Sequence, residues 1–180
     1  MKKFLFTLIA TLFTSFLWAQ SYIGRTTGNV NFRTEPNTTS EIIKQISKGS
    51  QIFIISSTTI DGFYNVIDIE TDQEGYLHSS FVNLEQRIEE TEGGVFVPTG
   101  RIQTVNPELK IHNNTSITLT LKLGDTKYSF RPQERKTITT TPGKCYFRAS
   151  APGVIPDAGS DYFESNNAYE WEFYIVTGVR

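Results

Sequence analysis

The chain has 180 residues, room for one or two small domains, with 17 basic and 19 acidic side chains and a net charge of −2. Beyond Lys2-Lys3 no basic run or patch interrupts that balance, which argues against nucleic acid or an anionic lipid surface as partner. A single cysteine, Cys145, leaves no internal disulfide, so stability must come from packed elements.

The N-terminus reads as a secretory signal over residues 1–19. Lys2 and Lys3 precede an apolar run from Phe4 to Leu17, and Trp18-Ala19-Gln20 offers a cleavage point after Ala19. An uncleaved anchor is the competing reading. The run is shorter than the ~20 residues a span needs and carries Thr7, Thr11, Thr14 and Ser15, which favours cleavage. The mature chain then keeps 15 basic against 19 acidic residues, a net charge of −4. No cysteine follows the signal, so no lipid-modified N-terminus is expected. The expectation is an exported protein, periplasmic or extracellular, with no integral membrane span once the signal is gone.

The mature chain is rich in Thr, Ile, Val, Phe and Tyr, in short alternating runs separated by Gly, Pro, Asn and Asp. That pattern predicts an all-β chain. Val30 and Phe32 alternate with Asn31 and Arg33, and Glu35-Pro36-Asn37-Thr38 favours a turn. Ile42 to Ile46 leads to the turn Ser47-Lys48-Gly49 and the apolar run Ile52-Phe53-Ile54-Ile55, a central strand buried on both faces. Ile60-Asp61-Gly62 is a hairpin-like turn. Tyr64 and Val66 then follow in one phase and Ile67 and Ile69 in the other, which suggests a bulge or a bend at a barrel corner. Gly75 precedes Tyr76-Leu77-His78. Five short strands in about sixty residues predict a small closed barrel over 22–84.

Four stretches of this module resemble the bacterial SH3-like domain family. Asn31-Phe32-Arg33-Thr34-Glu35-Pro36-Asn37 is similar to its Asn-Val-Arg-Ser-Gly-Pro-Ser, and Lys48-Gly49 to its Lys-Gly turn. Gly62-Phe63-Tyr64-Asn65-Val66 resembles Gly-Trp-Tyr-Lys-Val, and Gly75-Tyr76-Leu77-His78-Ser79-Ser80-Phe81 resembles Gly-Trp-Val-His-Ser-Ser-Tyr. Phe63 and Tyr76 stand where the family has tryptophans, and Glu35 replaces a small residue. The resemblance implies a module that targets peptidoglycan or another cell-wall peptide through an aromatic-lined groove. Arg33, Phe63, Tyr64 and Tyr76 are the candidate groove residues. Small barrels also need aromatics to fill their interiors, and position by position packing is the favoured reading. His78 reads as a half-buried structural residue.

The acidic, glycine-ended stretch 85–99 has few apolar residues and reads as a linker. Beyond it, residues 100–180 predict an antiparallel β-sandwich of immunoglobulin-like proportions. Ile117, Leu119, Leu121 and Leu123 alternate with Thr118, Thr120 and Lys122. Cys145, Phe147 and Ala149 form a further strand face, as do Tyr169, Trp171, Phe173 and Ile175. Residues 151–163 read as a long loop carrying Val154, Ile155, Tyr162 and Phe163. It is either a recognition loop or a crossover with its aromatics tucked into the core, and the crossover is favoured.

No catalyst is legible. A cysteine peptidase needs an activated thiolate beside a histidine base, but Cys145 sits mid-strand and both histidines, His78 and His112, precede it. Two histidines and one cysteine show no metal-ligand spacing, and Asp68, Glu70, Asp72 and Glu74 lack a calcium-loop pattern. No cofactor and no metal are expected. The expected function is binding of a cell-wall peptide or peptidoglycan. The alternative is a protein–protein adaptor or structural component of an envelope complex.

Overall fold

Alternation of apolar residues builds the first module, seen in a computed structural model that describes residues 20–175. The stretch 1–19, read from the sequence as a signal, lies outside the described residues. Strands β1 (Tyr22–Thr26), β2 (Val30–Arg33), β3 (Ile42–Ile46), β4 (Gln51–Ile54), β5 (Phe63–Asp68), β6 (Gln73–His78) and β7 (Val82–Arg87) form one sheet. Its order is β3-β2-β6-β5-β4-β1-β7, and every neighbour is antiparallel. Val30, Phe32, Ile46, Ile52, Ile54, Val66 and Leu77 fill the interior. The sheet has two strands more than the five expected, because β1 and β7 pair with each other at its end.

The phase flip after Val66 has a different cause from the one its sequence suggests. β5 pairs with β4 and β6 in unbroken register, with no bulge. Val66 faces the barrel interior, whereas Ile67 and Ile69 join Ile23 and Phe53 in a second buried cluster on the outer face, closed by Ala158 of the second module. The run Ile52-Phe53-Ile54 is buried on both faces for the same reason.

The second module is a sandwich of two sheets. The chain supplies β8 (Thr91–Glu92), β9 (Val97–Arg101), β10 (Glu108–Asn113), β11 (Leu119–Leu123), β12 (Thr126–Phe130) and β13 (Arg135–Thr139). β14 (Gly143–Ala151), β15 (Val154–Phe163) and β16 (Asn167–Phe173) complete it. One sheet runs β13-β10-β16-β9 and the other β12-β11-β14-β15-β8. Most pairs are antiparallel, as expected, but β10 with β16 and β15 with β8 are parallel. Leu109, Ile111, Tyr169 and Phe173 of one sheet meet Leu121, Phe147 and Phe163 of the other.

Two stretches differ from their sequence reading. The 85–99 segment holds strand and core residues instead of a free linker. Ile88 packs on the outer barrel cluster, β8 pairs with β15, and Phe96 is fully buried. The Phe96 ring centroid lies 5.1 Å from Phe163, 5.2 Å from Trp171 and 5.7 Å from Phe147. Two well-placed apolar residues are enough to seat a polar stretch whose backbone finds strand partners. Residues 151–163 are likewise no loop: Pro152 and Gly153 turn a long β14–β15 hairpin, and β15 runs ten residues. At its tip the Gly153 N–H donates to the Ile69 carbonyl of the barrel at 2.7 Å.

Candidate ligand-binding cleft on the barrel

On β2, Val30 and Phe32 point inward, which turns Asn31 and Arg33 to the outer face. A two-residue turn delivers the next component. Asp61 and Gly62 both have positive φ, 49° and 83°, and Ile60 and Phe63 exchange backbone bonds of 2.8 Å. This is the tight hairpin turn that Asp-Gly favours. It sets Phe63 opposite His78, with ring centroids 5.0 Å apart in an edge-to-face arrangement. His78 in turn caps a single 3₁₀ turn, Ser79–Phe81, its Nδ1 accepting from the Ser80 N–H at 3.3 Å.

Gly75 closes the arrangement from below. A Cβ there would stand 2.6 Å from the Arg33 carbonyl oxygen and from the Phe32 ring. Only glycine lets β6 approach β2 closely enough to pair Arg33 with Tyr76.

The result is a shallow cleft of about 270 Å³, lined by Asn31, Arg33, Gln45, Phe63, His78 and Phe81 among others. Of the four sequence candidates, Arg33 and Phe63 line it. Tyr76 lies beside it in the cross-strand row Arg33–Tyr76–Asn65, on the face opposite the buried Leu77. Tyr64 is not part of it: paired with Leu77, it packs on the barrel interior. Phe63 is 4% exposed, so it is more wall than contact surface. The polar members Asn31 and Gln45 are not among the sequence candidates, although the alternation of Asn31 with Val30 and Phe32 places it outward.

The four residues of the expected loop separate. Val154 and Ile155 line an apolar cleft at the sandwich edge with Val97, Trp171, Tyr174 and Ile175. Tyr162 is exposed near the other end of β15, and Phe163 is buried in the core.

The acidic residues of the β5–β6 turn are divided between structural partners. Asp68 is buried and pairs with Lys44 and Thr71. Glu74 accepts from Asn65 Nδ2 at 3.1 Å and from Arg148 at 2.6 Å. Burial raises its pKa, but the Arg148 guanidinium, the Asn65 amide and Lys122 together outweigh burial and hold the carboxyl below its usual range. Among the described residues no group of three or more His, Cys, Asp or Glu is placed to hold a metal ion. No helix among them is long and apolar enough to cross a membrane.

A short-stranded barrel with a shallow outer cleft, joined to a β-sandwich, defines an SH3-like fold with an appended all-β module. The family follows directly: residues 28–83 match the bacterial SH3 domain, and this part of the chain is one. Among solved structures, that of NlpC1 from Trichomonas vaginalis aligns at 14% identity and a TM-score of 0.32, covering 84% of this chain and 46% of that one. The chain thus spans less than half the length of that protein. No curated protein matches the chain.

Proposed function

We propose that the chain is an exported, non-enzymatic binding protein whose barrel recognises a cell-wall peptide or peptidoglycan. The carrying observation is the cleft itself. It lies within the residues that match the bacterial SH3 domain, and it joins one guanidinium and several amides to an aromatic wall. Such a surface orients a peptide by hydrogen bonds and excludes water with flat rings.

A binding role needs no activated thiol. Cys145 lies within β14, and burial raises its thiol pKa, opposed by weaker contacts from Thr140 and Gly124. His78 is committed to its 3₁₀ turn in the other module, and His112 sits on β10 of the opposite sheet. A thiolate–imidazole pair has no support in this arrangement.

Co-sedimentation with purified sacculi tests the proposal. Retention is expected for the mature chain and is lost in an Arg33→Ala/Tyr76→Ala double variant. No retention of the unaltered chain sinks it. A protein–protein adaptor is the second reading, favoured by the apolar sandwich-edge cleft, where Val97 is 58% exposed.

A further inference from the structure

We propose that Arg33 is a carboxylate anchor, so that the cleft selects ligands bearing a free carboxyl group. This rests on the reading that the barrel binds a wall peptide, and it names the chemical group on which that binding turns.

No Asp or Glu lines the cleft; its polar rim is Asn29, Asn31, Thr38 and Gln45, with Arg33 its one permanent charge. The ion pairs among the described residues engage Arg25, Lys44, Lys110, His112 and Arg148, and none engages Arg33. The acidic chain neighbour Glu35 accepts from Asn37 Nδ2 at 3.3 Å, in the β2–β3 loop, and makes no ion pair with Arg33.

Arg33 is also held in place. Its Nη1 donates to the Ser40 carbonyl at 2.7 Å, and the Ser40 hydroxyl is itself tied to the carbonyls of Glu35 at 3.0 Å and Asn37 at 3.1 Å. This bond tethers the guanidinium and uses one of its five donors. A planar fork tethered in this way matches a carboxylate in two-point fashion and discriminates against a neutral amide. Asn31 and Gln45 supply the donors and acceptors that a neighbouring peptide backbone needs.

The experiment compares retention of the full mature chain on purified sacculi and on the same sacculi after carbodiimide amidation of their carboxyl groups. Amidation leaves phosphodiesters untouched, so a loss reports carboxylates when the sacculi carry no phosphate monoesters. The unaltered chain is expected to bind amidated sacculi about tenfold more weakly. Arg33→Met, which keeps the apolar stem, is expected to bind native sacculi about tenfold more weakly and to show no preference between the two preparations.

Equal retention of the unaltered chain on both preparations overturns the anchor and leaves wall binding standing. No retention on either overturns both. A preference that survives in Arg33→Met moves the anchor elsewhere. Because the first comparison uses the unaltered protein, it decides the matter even if Arg33→Met folds poorly.

Discussion

Arg148 of the sandwich donates from Nη2 to the Glu74 carboxylate of the barrel at 2.6 Å. The two side chains are 13% and 31% exposed, so the pair is largely removed from solvent. It sits beside the apolar seam of Ile23, Phe53, Ile67 and Ala158. Seam and pair together make the sandwich an intramolecular cover for one face of the barrel. A double-mutant cycle of Glu74→Gln and Arg148→Met is expected to give a coupling energy of about 1 kcal/mol. Additive effects would show that the pair does not stabilise the interface.

The same pair sets an acid sensitivity. The folded pKa of Glu74 lies below the ordinary 4.5, so its contribution is complete above about pH 4.5 and is lost as pH falls through the lowered value. Denaturant midpoints measured across that range are expected to fall less steeply with acid in Glu74→Gln than in the unaltered chain.

The seam predicts that the modules unfold together. Ile67 belongs to the barrel strand β5, yet its side chain is buried against the sandwich. Ile67→Ala is expected to cost about 2–4 kcal/mol. Trp171, the one tryptophan among the described residues, lies in the sandwich and supplies the readout. Its unfolding midpoint is expected to drop with this barrel substitution. An unchanged Trp171 transition would mean the modules unfold independently.

Much of this architecture is legible in the chain. The alternation at Val30–Phe32 and Leu119–Leu123, the Asp61-Gly62 turn and the motif glycines each fix local structure by period or dihedral need. Surfaces covered by something distant in sequence are not legible. Ile67 and Ile69 announce a second buried face, but periodicity cannot distinguish that from a bulge. The β15 segment resembles a loop in sequence because Pro156 and Gly159 are poor strand residues. In the fold Pro156 falls beside a register shift, and Gly159 lies against Thr91 of β8. Asn113 has the character of a turn residue; it is fully buried, its amide donating to the carbonyls of Ile117, Phe130 and Arg131. At the cleft, residue types pick out Arg33 and Phe63, while the alternation that puts Tyr64 in phase with Val66 already turns it inward, opposite Leu77.

Burial separates two of the aromatic candidates, Phe63 and Tyr76. Phe63→Ala removes the buried wall of the cleft and is expected to cost about 3–5 kcal/mol. Tyr76→Ala, at a half-buried position, is expected to cost about 1 kcal/mol and to leave a folded protein. Denaturant titration of each variant checks the contrast, and equal losses would contradict the difference in burial between the two rings.

Cys145 is expected to behave as a structural thiol. Its alkylation by iodoacetamide is expected to show a midpoint above the ordinary 9.0, in keeping with a pKa raised by burial. A midpoint near neutral pH would mark an activated nucleophile and reopen the question of catalysis.

The most direct measurement of the central claim is the NMR titration of the isotopically labelled chain from Gln20 onward with soluble muropeptides. Shift changes are expected to concentrate on the Asn31 and Gln45 side-chain amides, the Arg33 guanidinium and the rings of Tyr76 and His78. Changes centred instead on Val97, Ile155 and Tyr174, or no changes at millimolar ligand, would contradict a binding cleft on the barrel.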